Sequence, residues 1–395
     1  MKVVYILPAS SGGIPHYTAE LANATSKYAE VTVLKPKNLS DELFSDKVKT
    51  MDVFDPLVFS RGSFMKIFSL RNVINLSSLR NIKAVDQIKP DVIHFPELYP
   101  HSAFFTFLCG IDKKYPTIVT LHSTFESFFS LLLNTKDIIY SLSASMADLM
   151  RRLIKVNKII VHTDNDRNTL IKKGVDPDKI IVIPHGAYSI FKKYESPSIT
   201  KEENCALFFG YIIRQKGLEY LIKAAPVVAK EIPDFKVVIA GEGNLSKYLR
   251  LIHDSSRFEI YNDFIPNEVV ARLFQRAKVV VLPYTYHGGH SGVLTIAFSF
   301  GKPVVVTDVG SFPELVEDKG EGLIVPSKDT KALAEAIIKL LKDEGLRERM
   351  KRNALRKAEE FSWDNVAKMH MKVYEGVLNE WRKNHGTHLG AQFSR

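Results

Sequence analysis

Cysteine is nearly missing from this sequence: Cys109 and Cys205 are the only two in 395 residues. A disulfide framework is therefore not expected. Thiols this sparse suit a reducing compartment, so the expected location is cytoplasmic. No run reaches the roughly 18 apolar residues that a spanning helix needs. The opening stretch 1–13 holds one lysine and a short apolar run, and a glycine-rich turn ends it where a signal peptide would carry a small-residue cleavage site. It reads as a first strand. There is no CxxC, HExxH or EF-hand spacing, and no metal site is expected. GxGxxG is also missing, which removes the nicotinamide and flavin fingerprint. Zinc-finger, RRM and basic-zipper patterns are lacking as well, so nucleic acid is not an expected partner. No short-period repeat interrupts the chain.

What remains is an ordinary globular composition, 45% hydrophobic and 25% charged, long enough for two α/β domains. The net charge of +10 favours anionic partners, but for charge alone a lysine-rich solvated surface is the preferred reading. Short β-branched runs at 2–7, 31–34, 91–95, 117–122, 158–163 and 180–184 alternate with amphipathic stretches such as 14–28. Apolar runs bounded by turns suit strands buried on both faces of a parallel sheet. Residues 187–204 are polar and read as a linker. The pattern then restarts, with strands expected at 206–210, 235–240, 258–261, 279–282 and 303–307. Helices are expected at 218–230, 267–276 and 292–300, and three more close the chain at 330–343, 345–361 and 364–383. The fold class is thus α/β, two Rossmann-like doubly wound domains. The expected domains are 1–186 and 187–364, followed by a helix at 365–384 and a frayed tail at 385–395.

In open parallel sheets, ligands bind beyond the carboxyl ends of the strands. The chemically loaded residues follow strands directly. Gly12 and Gly13 come after the first run and precede a helix, whose N–H groups favour an anion; a tight turn is the plain alternative. Gly210, Arg214, Lys216 and Gly217 follow the first strand of the second half. The two cations suit a diphosphate, with charge-assisted hydrogen bonds. Gly241 and Glu242 follow the next strand. The densest stretch, 282–294, includes His290, Ser291, Gly292, Val293 and Leu294. There Ser291 is expected to cap a helix whose next three N–H groups stay free for a phosphate. His122 closes a strand and His16 sits one turn into the first helix; each is weak alone. Asp164-Asn165-Asp166 looks like a DxD metal clamp, but it opens a helix and reads as capping.

In order, these motifs resemble the group 1, or family 4, glycosyltransferases of the GT-B fold. The resemblance rests on Gly12-Gly13-Ile14-Pro15-His16, on 159–186 as the crossover into the second domain, and on Phe209-Gly210 through Lys216-Gly217. It also rests on Gly301-Lys302-Pro303-Val304-Val305 with Gly310–Glu314, on Gly322–Pro326, and on Phe361-Ser362-Trp363 before a last helix. It implies two domains facing across a cleft, with that helix crossing back to the first. It implies metal-independent transfer with retention, the donor being a nucleotide sugar (UDP or GDP) used as a co-substrate. Lys216 would bind donor phosphate, Arg214 would assist, and His122 would lie near the transferred sugar. Glu242, Phe264 and Ile265 would lie near base or ribose, and Ser291, Gly292, Val293 and Leu294 would hold the diphosphate.

Two positions depart from the pattern. Tyr211 stands where the family has a phosphate-binding arginine. Gly288 and Ile296 stand where it has a glutamate pair. The acceptor, a saccharide or lipid-linked hydroxyl, is expected on the first domain, where 59–68, 125–133 and 150–158 also suit an anionic membrane surface. Two other readings stay open: a degenerate nucleotide-sugar-binding subunit, and a GT-B sugar-nucleotide epimerase.

Overall fold

The computed structural model describes residues 1–10, 12–56, 77–122, 156–286 and 289–389. The chain divides into two compact bodies, Met1–Pro184 with Trp363–Arg395, and His185–Ser362. The expected boundary at 186/187 falls two residues late. Ala187 N–H donates to Phe361 O at 2.8 Å, which ties the start of the second body to its end. Trp363 and Asp364, placed by sequence in the second domain, belong to the first body. Trp363 packs against Tyr17, and Asp364 accepts from Lys27 Nζ and Tyr28 Oη at 3.0 and 2.9 Å.

The first body is built on a seven-stranded parallel sheet. Its strands are β1 (Lys2–Ile6), β2 (Glu30–Pro36), β3 (Val48–Phe54), β4 (Val92–Phe95), β5 (Thr117–Thr120), β6 (Lys158–Val161) and β7 (Ile180–Val182), in the order β3-β2-β1-β4-β5-β6-β7. The central strands are buried along nearly their whole length, as expected of apolar runs covered on both faces. The final helix, Trp363–Leu389, packs on the helix Gly13–Thr25. A buried polar chain joins it to the sheet. Tyr374 Oη lies 3.0 Å from Tyr5 Oη and 2.6 Å from His94 Nδ1, and His94 Nε2 lies 2.8 Å from Thr120 Oγ1. The helix runs past the expected end at 384, with His385 Nδ1 3.0 Å from Trp381 O and its ring stacked on Trp381.

The second body has six parallel strands: β8 (Glu203–Phe209), β9 (Lys236–Ala240), β10 (Phe258–Tyr261), β11 (Ala277–Leu282), β12 (Val304–Thr307) and β13 (Gly322–Val325), in the order β10-β9-β8-β11-β12-β13. The helices Leu218–Glu231 and Thr330–Lys342 pack on one another over this sheet. Leu221, Ala225 and Val228 recur on one face of the former and are fully buried. Each large apolar side chain so buried contributes about 2 kcal/mol. At the amino ends of the strands, Arg276 clamps Glu203 and Glu259 together, with N···O distances of 2.7 to 3.0 Å.

The stretch read as a linker is partly core: Ala187, Tyr188, Ile190 and Phe191 are buried, and the turn Ile190–Tyr194 packs on the helix Asn267–Arg276. Four apolar residues among five are enough to anchor it, despite the polar residues that follow. In both sheets the strand order reverses, between β1 and β4 and between β8 and β11. Those reversals mark where ligands bind in open parallel sheets. Stretches 59–68, 125–133 and 150–155 lie outside the described residues.

Candidate functional site

In the second body the loops after β8 and β11 meet at the strand-order reversal. Gly210 has φ +98°. A Cβ there would stand 2.6 Å from Lys216 Nζ and 3.5 Å from Val293 Cγ2. The glycine therefore leaves just enough room for the lysine ammonium to lie beside the first turn of the helix Gly292–Ser299. Lys216 is half-buried, with its ammonium 5.3 Å from the Tyr284 ring centre. Its hydrogen-bond acceptor is Phe209 O at 3.5 Å, the long limit of such a bond, and no carboxylate pairs with it among the described residues.

The helix start differs from the expectation in two ways. Ser291 is the N-cap by position, but its hydroxyl does not cap; Ser291 Oγ lies 3.3 Å from Tyr284 Oη instead. Leu294 N–H is not free, since it donates to Ser291 O at 3.0 Å in a tightened first turn. Among the described residues, the N–H groups of Gly292 and Val293 remain without a protein acceptor. The rest of the helix is buried, so its positive end is the part that reaches the loop face.

Backbone packing makes this arrangement rigid. A Cβ on Gly217, at φ +64°, would fall 1.9 Å from Pro283 O, and one on Gly241, at φ +143°, would fall 2.1 Å from Gly210 O. Thr285 N–H donates to Gln215 O at 2.8 Å, and Ile212 N–H to Glu242 O at 2.8 Å. The loops after β8, β9 and β11 are thus interlocked at backbone distance. The Glu242 side chain is exposed. Gly243 N–H, beside it, donates to Asn262 Oδ1 at 3.1 Å, which joins the β9 loop to the β10 loop carrying Phe264 and Ile265. Phe264 is 63% exposed, more than any other large hydrophobic side chain described, and Ile265 is half-buried. Arg214 is exposed and its charge acts on the Tyr220 hydroxyl. The half-buried His290 stacks on buried His185, with ring centres 4.6 Å apart and planes within 7°. Of the expected glutamate positions, Ile296 is a buried apolar side chain in the helix, and Gly288 lies outside the described residues.

In the first body, Gly12 takes φ +83° and opens the helix Gly13–Thr25, on which His16 lies half-buried. His122 follows β5, and both of its ring nitrogens are engaged. Nε2 lies 2.9 Å from Pro96 O, and Nδ1 lies 3.1 Å from His162 Nε2. His162, which directly follows β6 and is not singled out by the sequence, is buried, with Nδ1 3.0 Å from Ile183 O. Burial pushes its pKa down to about 4. Only the neighbouring of β5 and β6 reveals the pair; a histidine ending a strand is the sole sequence signal. The cap of the following helix is Thr163, not Asp164: Thr163 Oγ1 accepts from Asp166 N–H at 3.1 Å and donates to Asp166 Oδ2 at 2.7 Å.

A family model described as glycosyl transferases group 1 matches residues 190–357, and one described as glycosyltransferase family 4 matches residues 11–187. An uncharacterized glycosyltransferase of Methanocaldococcus jannaschii is 31% identical over 222 residues, which span 55% of this chain and 56% of that relative's length. Phosphatidyl-myo-inositol mannosyltransferase of Mycolicibacterium smegmatis is 27% identical over 390 residues, 95% of this chain and 94% of that protein. Among solved structures, sucrose-phosphate synthase from Thermosynechococcus elongatus superposes with a TM-score of 0.74 at 18% identity, covering 96% of this chain and all of that one. HepE from Anabaena, solved with UDP-glucose, superposes at 0.70 and 14% identity over 95% of this chain and all of its own. These likenesses show the GT-B fold. The two family matches fall in turn on the two halves of the sequence, and the chain belongs to the group 1, family 4 glycosyltransferases.

Proposed function

We propose that this chain moves a sugar from a UDP- or GDP-sugar to a hydroxyl of a saccharide or lipid-linked acceptor, with retention of configuration and without a metal ion. The observation that carries this reading is the Lys216 ammonium, set beside the open N–H groups of Gly292 and Val293 across a glycine with no Cβ. Positive charge is concentrated there in the form a diphosphate requires. As the bond from sugar to phosphate breaks, negative charge grows on the leaving oxygen, and fixed donors aimed at it stabilise the transition state. The ammonium and the helix end supply the charge that a divalent cation supplies elsewhere. The departing phosphate oxygen takes the proton of the acceptor hydroxyl, which attacks the face being vacated. Phe264 offers an exposed ring to the base, and Glu242 offers a carboxylate to the ribose. The +10 charge supports a peripheral contact with anionic lipid on the cytoplasmic face.

The test is incubation with UDP- and GDP-sugars and hydroxyl acceptors, with proton NMR of the product. Transfer with the donor's anomeric configuration supports the reading; transfer with inversion contradicts its mechanism. The apolar Ile296 favours a second reading, a subunit that binds the nucleotide sugar without turning it over. Tight donor binding with neither transfer nor donor hydrolysis would establish that one.

A further inference from the structure

The two histidines beyond β5 and β6 fix a proton count. The Pro96 and Ile183 carbonyls can only accept, so His122 Nε2 and His162 Nδ1 must each carry a hydrogen. Two neutral imidazoles hold two ring hydrogens in all, and both are then spent on carbonyls. His122 Nδ1 and His162 Nε2 would face one another at 3.1 Å as two bare lone pairs. A third proton turns that contact into a hydrogen bond and gives the pair a charge of +1. Of the two rings, His162 is the more deeply buried and pays the larger desolvation cost for charge, so the proton belongs to half-buried His122.

We infer that His162 is a positioning residue acting through His122: it accepts the Nδ1–H of His122 and holds that ring as an imidazolium beyond the carboxyl ends of the sheet. With no lone pair left, His122 serves as a fixed positive charge and not as a base. Tyr17 holds the plane of the ring, standing edge-on at 4.4 Å. The charged or titratable groups around the pair come from several elements. Glu97, in the β4 loop, accepts from the His122 backbone N–H at 3.4 Å. Tyr17, His16 and Glu20 lie on the helix Gly13–Thr25, and His370 on the final helix acts electrostatically on His162. The catalytic consequence rests on the transfer reading; the protonation state does not.

Two measurements keep these separate. In the full chain labelled with ¹⁵N-histidine, ring-nitrogen NMR at neutral pH is expected to show both nitrogens of His122 protonated and one of His162. Assignment uses His122→Gln and His162→Gln. Single protonation of both rings overturns the inference, whether or not the protein transfers sugar. The second measurement is the pH profile of kcat/KM with the active nucleotide sugar. A fixed cation predicts loss of activity on the alkaline side. His162→Phe, which offers no acceptor, is expected to move that limb down by about one pH unit, and His162→Gln, whose amide oxygen accepts, to hold it within a few tenths. Loss on the acid side alone, or identical limbs in the Phe and Gln variants, overturns the inference while leaving the transferase reading standing. Where a variant's thermal melt shows misfolding, the wild-type NMR pattern decides.

Discussion

Acidification should destabilise the first body through its buried histidines. His162 and His370 are buried, and desolvation pushes both pKa values down to about 4; His94, also buried, is lowered well below the ordinary value. Each ring is therefore neutral in the fold. In the unfolded chain it takes a proton near pH 6.5. The unfolded state binds more protons below that point, so the stability these rings contribute is full above about pH 6.5 and is lost as the pH falls towards 4. At pH 5 a pKa of 4 against 6.5 amounts to about 2 kcal/mol per ring, hence about 4 kcal/mol for His162 and His370 together. Asp364, whose carboxyl is held low by Lys368, Lys27 and Tyr28, titrates below this window.

Both tryptophans of the sequence, Trp363 and Trp381, belong to the first body, so their emission reports on that body alone. In urea unfolding followed by this emission, the midpoint should fall by more than about 1 M between pH 7.5 and pH 5, taking an m-value of about 3 kcal/mol/M. His370→Gln should remove about a third of that dependence, one ring of the three. A midpoint unchanged across the interval would refute the account of three neutral buried rings.

Two further outcomes follow from the loop face of the second body. Gly210→Ala places a methyl group 2.6 Å from the Lys216 ammonium, at a backbone angle that costs a side chain about 1–2 kcal/mol. Calorimetric affinity for UDP or GDP should weaken at least about 10-fold while the fold persists; unchanged affinity would separate Gly210 from the phosphate site. Phe264→Ala removes an exposed ring, so thermal stability should shift by no more than about 0.5 kcal/mol. If the base stacks on it, nucleotide affinity should fall about 5-fold or more, and a constant affinity would place the base elsewhere.

The central strands were readable because a strand buried on both faces is an unbroken apolar run, as in Val3–Ile6 or Val279–Leu282. Two strands were not readable. β3, Val48–Phe54, is a sheet edge whose exposed positions carry Lys49 and Asp52, so no apolar run marks it. β13 has four residues and begins on a glycine, which reads as a turn. The glycines of the loops after β8, β9 and β11 signalled close backbone approach, which is what the fold has there. Their partners did not show in the sequence: that Gly241 lies against Gly210, or Gly217 against Pro283, depends on three strands becoming neighbours. The same holds for His162, a lone histidine in the sequence and half of a pair in the fold. The Ser291 expectation failed because Tyr284, seven residues earlier, is near enough to take the hydroxyl that would have capped the helix.

The central claim is that the Lys216 ammonium and the start of the helix Gly292–Ser299 hold a donor diphosphate. Binding of UDP- and GDP-sugars to the wild-type chain and to Lys216→Ala, measured by calorimetry and by the rise in melting temperature, tests it most directly. The lysine is half-buried and pairs with no described carboxylate, so its removal should leave the unliganded melt nearly unchanged. It should weaken binding by about 10-fold to 100-fold, the loss of a charge-assisted hydrogen bond of about 1.5–3 kcal/mol. Equal affinity in the two proteins, or no affinity for either nucleotide sugar in the wild type, would contradict the account.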